Sequence, residues 1–421
     1  MSYFSLPKIT TDNELKSVIE CCTDGDHSTV INKTLNEYLN NAKGQIDSKQ
    51  DEWDRFKKFT NPYEYIHTTV PSAKLAVCKL KPLSRSFYKM IEICKTMRLL
   101  DLNDKAPIKT FHFAEGPGGF IEAVAYLRNN ATDSYHGMSL IDDNNTSVPG
   151  WKKSESFLDK NPNVTIEKGQ SGDGDMLVPD NLRDCFENHR GSAELTTADG
   201  GFDFTNDFNH QEVLSLKLMF AQAAYAIASQ KKGGHFVIKV FDTVKAASID
   251  VLYILASVYQ QIYFIKPHTS RQANSERYVV CKNFQLNDSK NLVVSMYHTI
   301  QAFSQGAVPT RFLTIPIPYL FTSALQEINA IFGQAQIECI TQTLNLITSS
   351  PHDRIESLKK NHITKCINWC NKFRMPYNKV NINANIFLSG RNTHNDTEDT
   401  EDTEDNKSNH DTDESDDDET A

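Results

Sequence analysis

The sequence predicts an α/β protein built on a doubly wound, mostly parallel sheet, and three observations support this. Between residues 76 and 285, short apolar runs typical of strands alternate with segments that repeat apolar residues at helical spacing. The run "FVIKVF" at 236–241 is apolar at every position except Lys239, as expected for a strand covered on both faces. A glycine loop, "EGPGG" at 115–119, joins the first run directly to a helix. Parallel strands with helices between them produce this pattern.

Six apolar runs are the candidate strands of this sheet. They cover residues 111–115, 134–140, 194–200, 235–241, 261–267 and 277–283. Helices are predicted between them, most clearly at "GFIEAVAYLRN" and "HQEVLSLKLMFAQAAYAIASQ", where apolar residues recur every three or four positions.

The composition changes along the chain and predicts four regions. Residues 1–75 are polar, with a mostly helical pattern, and form an N-terminal helical extension. Residues 76–285 form the sheet domain. Residues 286–390 form a C-terminal helical module, clearest at "SALQEINAIFGQAQIECITQTLNLI". Residues 391–421 are low in complexity, contain little to bury, and form a disordered acidic tail.

The net charge of −10 comes from this tail. Residues 391–421 carry 14 acidic and two basic residues, a net of −12, so the other 390 residues carry 40 acidic and 42 basic. The near-neutral body permits a phosphate-bearing partner without requiring one. The tail itself would repel RNA, so we expect it to bind a protein partner or to aid solubility.

The cysteines and the hydropathy indicate a soluble intracellular protein. The nine cysteines are scattered without a CxxC pair, which argues against a disulfide framework or a zinc ribbon. We find no signal peptide and no apolar run long enough to cross a membrane.

The glycine loop is the first candidate binding site. It comprises Glu115, Gly116, Pro117, Gly118 and Gly119, and the following helix opens at Phe120. Glycines let the backbone approach a ligand closely, and a helix N-terminus favours negative charge. The spacing is neither GxGxxG nor that of a phosphate loop, which disfavours dinucleotides and ATP. The acidic Glu115 suits a cationic ligand instead, and S-adenosylmethionine carries an ammonium and a sulfonium. A plain β–α turn would also explain the glycines.

A second glycine-rich stretch, "GDGD" at 172–175, offers another carboxylate to such a ligand. Asp175 could accept a hydrogen bond from an exocyclic amine such as that of adenine. It could equally be a turn residue, since Asp and Gly dominate turns.

Four charged residues interrupt apolar elements. Lys239 lies inside a buried strand, Asp199 ends a strand before a Gly-Gly turn, Glu276 precedes the last strand, and Lys89 lies on an early helix. Each of the last three has an ordinary explanation. Asp199 could cap a turn, Glu276 could pair with Arg277 or Arg271, and the long Lys89 side chain could carry its charge out to the surface. Lys239 is different, because a strand covered on both faces gives its side chain no route to water except at the carboxyl edge of the sheet. Ligands bind at that edge in open α/β sheets.

A histidine and two cysteines fall on one helical face in "NHITKCINWC". His362, Cys366 and Cys370 are spaced i, i+4, i+8, so the outer two lie about 12 Å apart along the axis. One metal ion cannot easily bridge that distance, so we predict a core-facing stripe and no metal site.

These motifs resemble those of a known family. "SRSFYK", "EGPGGF", "ADGG", "VIKVF" and "SRQANSERYVV" occur in the order found in the FtsJ-like (RrmJ-like) ribose 2′-O-methyltransferases, which have a Rossmann-like S-adenosylmethionine-dependent methyltransferase fold. The resemblance covers residues 50–285 and implies a Lys-Asp-Lys-Glu catalytic tetrad at Lys89, Asp199, Lys239 and Glu276. It also implies that the glycine loop, with Asp175 and Asp199, binds S-adenosylmethionine.

Two further segments are similar to the adrift-type branch of this family. They are "EWDRFKKFTNPYEYIHTT" and "DFNHQEVLSLKLMFAQ". That branch contains mRNA cap 2′-O-methyltransferases, including versions from large cytoplasmic DNA viruses. The resemblance therefore implies RNA as the partner, in particular 5′-capped mRNA. It implies action in the cytoplasm, with the nucleus still open.

The family implies methyl transfer to a ribose 2′-hydroxyl, with Lys239 as general base. A lysine at its ordinary pKa of about 10.4 would be protonated. Burial and the cation of Lys89 would lower the pKa of Lys239, whereas the carboxylates of Asp199 and Glu276 would raise it, so the sequence leaves the sign of the net shift open. Asp199 and Glu276 would orient Lys239. No metal is required.

The substrate is open to alternatives. The same chemistry would suit ribosomal RNA or internal RNA sites, and a non-catalytic subunit of a capping complex could keep the fold. "WDRFKKF" and "SAKLAVCKLKPLSR" mix basic and aromatic residues and either bind RNA or are solvated helix faces. An aromatic clamp for a cap would come from among Trp53, Phe56, Tyr63 and Trp151.

Overall fold

The computed structural model describes residues 3–9, 15–71, 73–101, 106–142, 144–145, 148–201, 211–349, 352–378 and 380. The predicted acidic tail at 391–421, and residues 381–390 of the predicted helical module, lie outside the described residues. No helix in the described ranges is both long enough and apolar enough to cross a bilayer.

Eight of the strands found in the described residues form one sheet. The strands are β1 Tyr3–Ser5, β2 Ile19–Cys22, β3 Lys109–Phe113, β4 Ser134–Met138, β5 Val164–Glu167, β6 Ala193–Ala198, β7 Gln230–Val240, β8 Tyr259–Ile265, β9 Arg277–Phe284 and β10 Arg311–Leu313. Their order in the main sheet is β1-β8-β9-β7-β6-β3-β4-β5, and β10 pairs with β2 separately. Strands β3 to β7 pair in parallel, whereas β9 is antiparallel to both β7 and β8, and β1 is antiparallel to β8. The doubly wound, mostly parallel sheet is confirmed.

Helices cover both faces of this sheet. They are α1 Leu15–Val18, α2 Lys33–Gly44, α3 Gln50–Phe56, α4 Ser86–Met97, α5 Gly119–Arg128, α6 Glu155–Lys160, α7 Pro179–His189, α8 Gln211–Ser229, α9 Ala246–Val258, α10 Lys290–Ser304, α11 Tyr319–Ser349 and α12 His352–Lys372. One core lies under α8, α9 and α10, and a second lies under α4, α5 and α12.

The strand order reverses between β3 and β6. The chain leaves β3 through α5 towards β4 on one side, whereas β6 lies on the other side of β3. Open α/β sheets bind ligands in the crevice at this reversal, beyond the carboxyl ends of the strands. The glycine loop follows β3 and Asp199 follows β6, so both lie at this crevice.

The six predicted strands all occur close to the predicted positions, but four others were not predicted. β1, β2, β5 and β10 have three or four residues each, too few for their periodicity to stand out from that of a loop. The N-terminal extension is therefore not purely helical, because it contributes β1 to the sheet edge and β2 to the pair with β10.

The extension and the C-terminal module pack together. Helices α2 and α3 contact α11, and α12 contacts the short helical turn at Glu64–Ile66. The predicted core-facing stripe is confirmed, since His362 is 3% exposed and both Cys366 and Cys370 are fully buried. That stripe packs into the core under α4 and α5.

Candidate active site

Lys89 and Glu276 form a buried ion pair. Lys89 lies on the first turn of α4 and Glu276 directly precedes β9, and the Nζ and Oε2 atoms are 2.7 Å apart. The two side chains are only 7% and 1% exposed. The hydroxyl of Ser270 donates to the other oxygen of Glu276, Oε1, at 2.6 Å. The ordinary explanations fail for both residues, because neither side chain reaches the surface.

Lys239 and Asp199 form the second charged pair. Lys239 lies near the carboxyl end of β7, and its Nζ is 3.5 Å from Oδ1 of Asp199. The Lys239 side chain is 1% exposed, as expected for a strand covered on both faces. In the sheet, Lys239 pairs with Tyr278 of β9, whose hydroxyl donates to Asp199 Oδ1 at 2.9 Å. We call Lys89, Asp199, Lys239 and Glu276 the tetrad.

Charge interactions link the two pairs. Burial alone would raise the pKa of Glu276, but Lys89 and then Lys239 outweigh it and lower that pKa to about 2. Burial lowers the pKa of Lys89, and the carboxylates of Glu276 and Asp199 oppose this. Lys239 also lowers the pKa of Lys89, although less than burial does, so the two pairs interact electrostatically.

The glycine loop is held mainly by the protein itself. A Cβ atom on Gly116 would lie 2.2 Å from the carbonyl oxygen of Gly150, and one on Gly119 would lie 2.1 Å from Oγ of Ser86. Gly118 has a φ of +105°, which side chains rarely adopt. The carbonyl of Pro117 accepts a hydrogen bond from the Ser154 hydroxyl.

Glu115 is not placed as the sequence led us to expect. Its two oxygens accept the N–H groups of Phe120 and Ile121, at 3.1 and 3.0 Å, and so cap α5. The side chain is 1% exposed, and burial raises its pKa well above the ordinary value. The Glu115 side chain therefore organises the loop, and its role in ligand binding stays a prediction. Phe120 is also fully buried, and its ring lies 5.9 Å from that of Tyr278.

Asp175 lies on a loop that meets the glycine loop. Ser139, at the end of β4, accepts the N–H of Gly116 at 3.3 Å through its hydroxyl, and its carbonyl lies against Gly174. Oδ1 of Asp175 accepts the N–H of Leu177 at 2.8 Å, so the turn-residue interpretation is confirmed. Burial raises the pKa of Asp175, although the residue is only half-buried. Asp175 and Asp199 are thus two partly exposed carboxylates on loops that follow strands of the parallel sheet.

Two of the four aromatic candidates for a cap clamp are wrong. Trp53 and Phe56 are 8% and 5% exposed and lie in the interior, because they form the buried face of α3. Trp151 packs against Gly118 and Gly137 beneath the glycine loop. Tyr63 is half-buried and stacks on His268, with ring centroids 4.8 Å apart.

The sequence reasoning missed Tyr278 and Ser270, which hold the two tetrad carboxylates. A signal was present for Tyr278, because it lies two residues after Glu276 and strand side chains repeat their direction at that spacing. No comparable signal marks Ser270, whose contact with Glu276 depends on the path of the loop between β8 and β9.

One cluster among the described residues has the composition of a metal site. Ligand atoms of His136, Glu167 and His189 all lie within 4.8 Å of one another. Nδ1 of His136 is 2.7 Å from Glu167, and Nδ1 of His189 is 2.9 Å from the ammonium of Lys109. The ammonium already supplies a positive charge here, so we assign the cluster to hydrogen bonding between β4, β5 and α7.

The family comparison agrees with this geometry. Residues 82–284 match the family described as FtsJ-like methyltransferase. This match spans slightly less than half of the chain. The matched range contains all four tetrad residues and the glycine loop, whereas the N-terminal extension and α10, α11 and α12 lie outside it.

Curated relatives of this chain carry cap-related names. It is 33% identical over 245 residues to cap-specific mRNA (nucleoside-2′-O-)-methyltransferase 1 of Mus musculus, and the aligned region covers 56% of this chain and 29% of the relative. It is 26% identical over 357 residues to cap-specific mRNA (nucleoside-2′-O-)-methyltransferase 2 of Danio rerio, and the aligned region covers 78% of this chain and 45% of the relative. The chain thus spans less than half of the length of either relative.

The solved structures are more distant. A ribosomal RNA methyltransferase from Plasmodium falciparum shares 18% identity with this chain at a TM-score of 0.34, and the match covers 48% of this chain and 97% of that one. Human methyltransferase-like protein 13, solved with SAH, shares 14% identity at a TM-score of 0.33, covering 57% and 99%. These superpositions are too loose to support an argument about the site.

Proposed function

We propose that this chain transfers a methyl group from S-adenosylmethionine to a ribose 2′-hydroxyl of RNA, and that its substrate is the 5′ cap of mRNA. The observation that carries the proposal is the tetrad, in which two buried lysines meet two carboxylates at the carboxyl edge of the sheet. Buried lysines are rare in proteins unless they are paired, and perturbed charges cluster at functional sites. The cap assignment is supported by the names of the curated relatives.

The residues at the crevice fit S-adenosylmethionine in charge. Asp199 and Asp175 are only partly buried and lie at the loops that follow β6 and β5, where a cationic ligand could approach them. Bound S-adenosylmethionine would supply an electrophilic methyl group on a sulfonium. Glu115 would support this site indirectly by capping α5.

The chemistry required of the protein is proton removal and positioning. As the new oxygen–methyl bond forms and the sulfur–methyl bond breaks, the 2′-hydroxyl must lose its proton, and the neutral amine of Lys239 is the acceptor we assign. Asp199, at 3.5 Å, would hold the Lys239 side chain and then stabilise the ammonium that forms. Lys89, fixed by Glu276 at 2.7 Å, would place a second cation beside the developing oxyanion.

The proposal is tested by offering matched capped and uncapped short RNAs with a donor carrying a labelled methyl group. We expect label on the capped RNA, on a ribose, and little on the uncapped RNA. Equal labelling of both RNAs would remove the cap assignment and favour internal or ribosomal RNA. Binding of the donor and RNA without transfer would indicate a non-catalytic subunit.

Two further expectations rest on the sequence alone. Action in the cytoplasm stays a prediction from the viral resemblance. A protein partner for the acidic tail also stays a prediction, because residues 391–421 lie outside the described residues.

A further inference from the structure

The loop at residues 266–276, which we call the Glu276 loop, joins β8 to β9 and ends at a tetrad carboxylate. Helix α11 and the N-terminal extension, both outside the range that matches the family, contact this loop. The loop therefore connects the tetrad to parts of the chain for which the family supplies no role.

Inside the loop, Lys266 links the first residue of the loop to its last residues by hydrogen bonds. Its Nζ donates to the carbonyl of Asn274 at 2.7 Å, to Oδ1 of Asn274 at 2.9 Å and to the carbonyl of Glu276 at 2.7 Å. Lys266 is 7% exposed, so these three acceptors satisfy all three of its N–H donors in the interior. The two ends of the loop are thereby tied together directly at Glu276.

Outside the loop, Gln336 of α11 provides a second attachment. Its amide nitrogen donates to the carbonyl of Ala273 at 2.9 Å and to the hydroxyl oxygen of Ser275 at 3.3 Å. Ser275 in turn donates to Oδ2 of Asp242, at the end of β7. Gln336 is 2% exposed, so water cannot easily replace it. Helix α11 thus holds the residue that immediately precedes Glu276.

The N-terminal extension holds the middle of the loop. Arg271 donates from both Nε and a terminal nitrogen to the carboxylate of Glu64, at 3.2 and 2.8 Å. The side chain of Glu64 is fully buried. Such a two-point contact fixes the direction of the side chain as well as its distance. The loop is therefore attached on both sides by segments distant in sequence.

We propose that Lys266 and Gln336 are positioning residues for methyl transfer, which hold the main chain at Glu276 so that its carboxylate meets Lys89. This rests on the proposed function. It gives α11 a defined task, which is to keep the Glu276 loop in the geometry that the tetrad requires. Both residues donate hydrogen bonds to the Glu276 loop and not to the Glu276 carboxylate, so on this proposal both act through the position of Glu276.

The test uses the full chain with two variants and two matched controls. Lys266→Met removes the hydrogen bonds that Lys266 donates within the loop, and Gln336→Leu removes the hydrogen bonds that attach the loop to α11. Lys282→Met removes a lysine that donates to a main-chain carbonyl away from the tetrad, and Gln334→Leu changes an exposed glutamine on the same helix. We expect kcat to fall about 10- to 100-fold in the first two variants, with KM for donor and RNA within about threefold, because small displacements of a catalytic group cost this much. The controls should stay within about twofold of the unmodified protein.

A second comparison separates positioning from general destabilisation. In a Glu276→Gln background the same two substitutions should reduce kcat by less than about threefold further, because their effect passes through a carboxylate that is already absent. A full additional 10- to 100-fold loss in that background would overturn the proposal, as would unchanged kcat in both single variants.

Amide hydrogen exchange of the peptides covering 266–277 provides a readout that does not need turnover. Both variants should exchange faster there, by about tenfold or more, while peptides of β3 and β4 stay unchanged. If the unmodified protein transfers no methyl group, the proposed function fails and exchange alone decides this inference. Unchanged exchange in both variants, or faster exchange throughout the protein, would then reject it.

Discussion

The ion pair between Lys89 and Glu276 allows a prediction that does not depend on activity. The pKa of Glu276 falls from an ordinary value of 4.5 to about 2 in the folded protein. At 1.36 kcal/mol for each pKa unit, this corresponds to about 3 kcal/mol of stability at neutral pH. Breaking a buried pair by removing one partner costs a similar amount, about 3–5 kcal/mol. We therefore expect Glu276→Gln to lower the free energy of unfolding by about 3 kcal/mol at pH 7.

The assay is urea unfolding of the unmodified chain, Lys89→Met, Glu276→Gln and the double variant. The double variant should lose little more than either single variant, which gives a coupling free energy of about 2–3 kcal/mol. The pair between Lys231 and Glu194 is a matched control, because its atoms are also 2.7 Å apart but Lys231 is 53% exposed. There we expect a coupling below about 1 kcal/mol.

The pH dependence of this coupling has a defined sign. Because folding depresses the pKa of Glu276, its stabilising contribution is present above pH 4.5 and is lost as the pH falls towards about 2. A coupling between Lys89 and Glu276 no larger than that of the exposed control pair would refute the reasoning. So would a coupling that does not decrease between pH 6 and pH 3.

Three further perturbations have defined outcomes. Lys239→Met should lower the rate of methyl transfer by about 10²- to 10⁴-fold, because this is the usual contribution of a general base. Its donor affinity, measured by calorimetry, should be nearly unchanged. A rate within about tenfold of the unmodified protein would show that Lys239 is not the base. Burial raises the pKa of Glu212 to about 8, so the free energy of unfolding should fall as the pH rises from 4.5 to 8. At pH 8.5, Glu212→Gln should therefore unfold at a higher urea concentration than the unmodified chain. Equal urea midpoints would count against a protonated Glu212. Gly116→Ala should lower the free energy of unfolding by about 1–3 kcal/mol and weaken donor binding, because its methyl group would lie 2.2 Å from Gly150. Gly44→Ala, with no atom within 4 Å, should lose neither stability nor donor affinity, and similar losses for both variants would contradict the packing of the loop.

The sequence predicted the parts of the fold that repeat a simple period. The buried strands and the long helices α8 and α11 carry enough residues for the period to be recognised. The three-residue strand β1 does not, and its place at the sheet edge depends on pairing with β8, more than 250 positions later in the chain. Pattern in one segment cannot reveal a pairing of that kind.

The sequence likewise predicted some features of the candidate active site and missed others. Lys239 stood out because a charge inside an apolar strand is unfavourable, and the structure confirms its burial beside Asp199. Trp53 was misjudged because an aromatic residue on an amphipathic helix looks the same whether it faces a ligand or the core. The capping of α5 by Glu115 was missed because its hydrogen-bond donors lie on the helix that follows it, which a charge argument does not consider. The roles of the tetrad residues stay predictions.

The most direct measurement concerns where the methyl group goes. Capped RNA incubated with the unmodified chain and S-adenosylmethionine would be digested with nucleases and examined by mass spectrometry. We predict a single added methyl group on the ribose 2′-oxygen of a nucleotide next to the cap, and its loss in Lys239→Met. A methyl group on a base, or the same ribose product from Lys239→Met, would contradict the assignment of the tetrad.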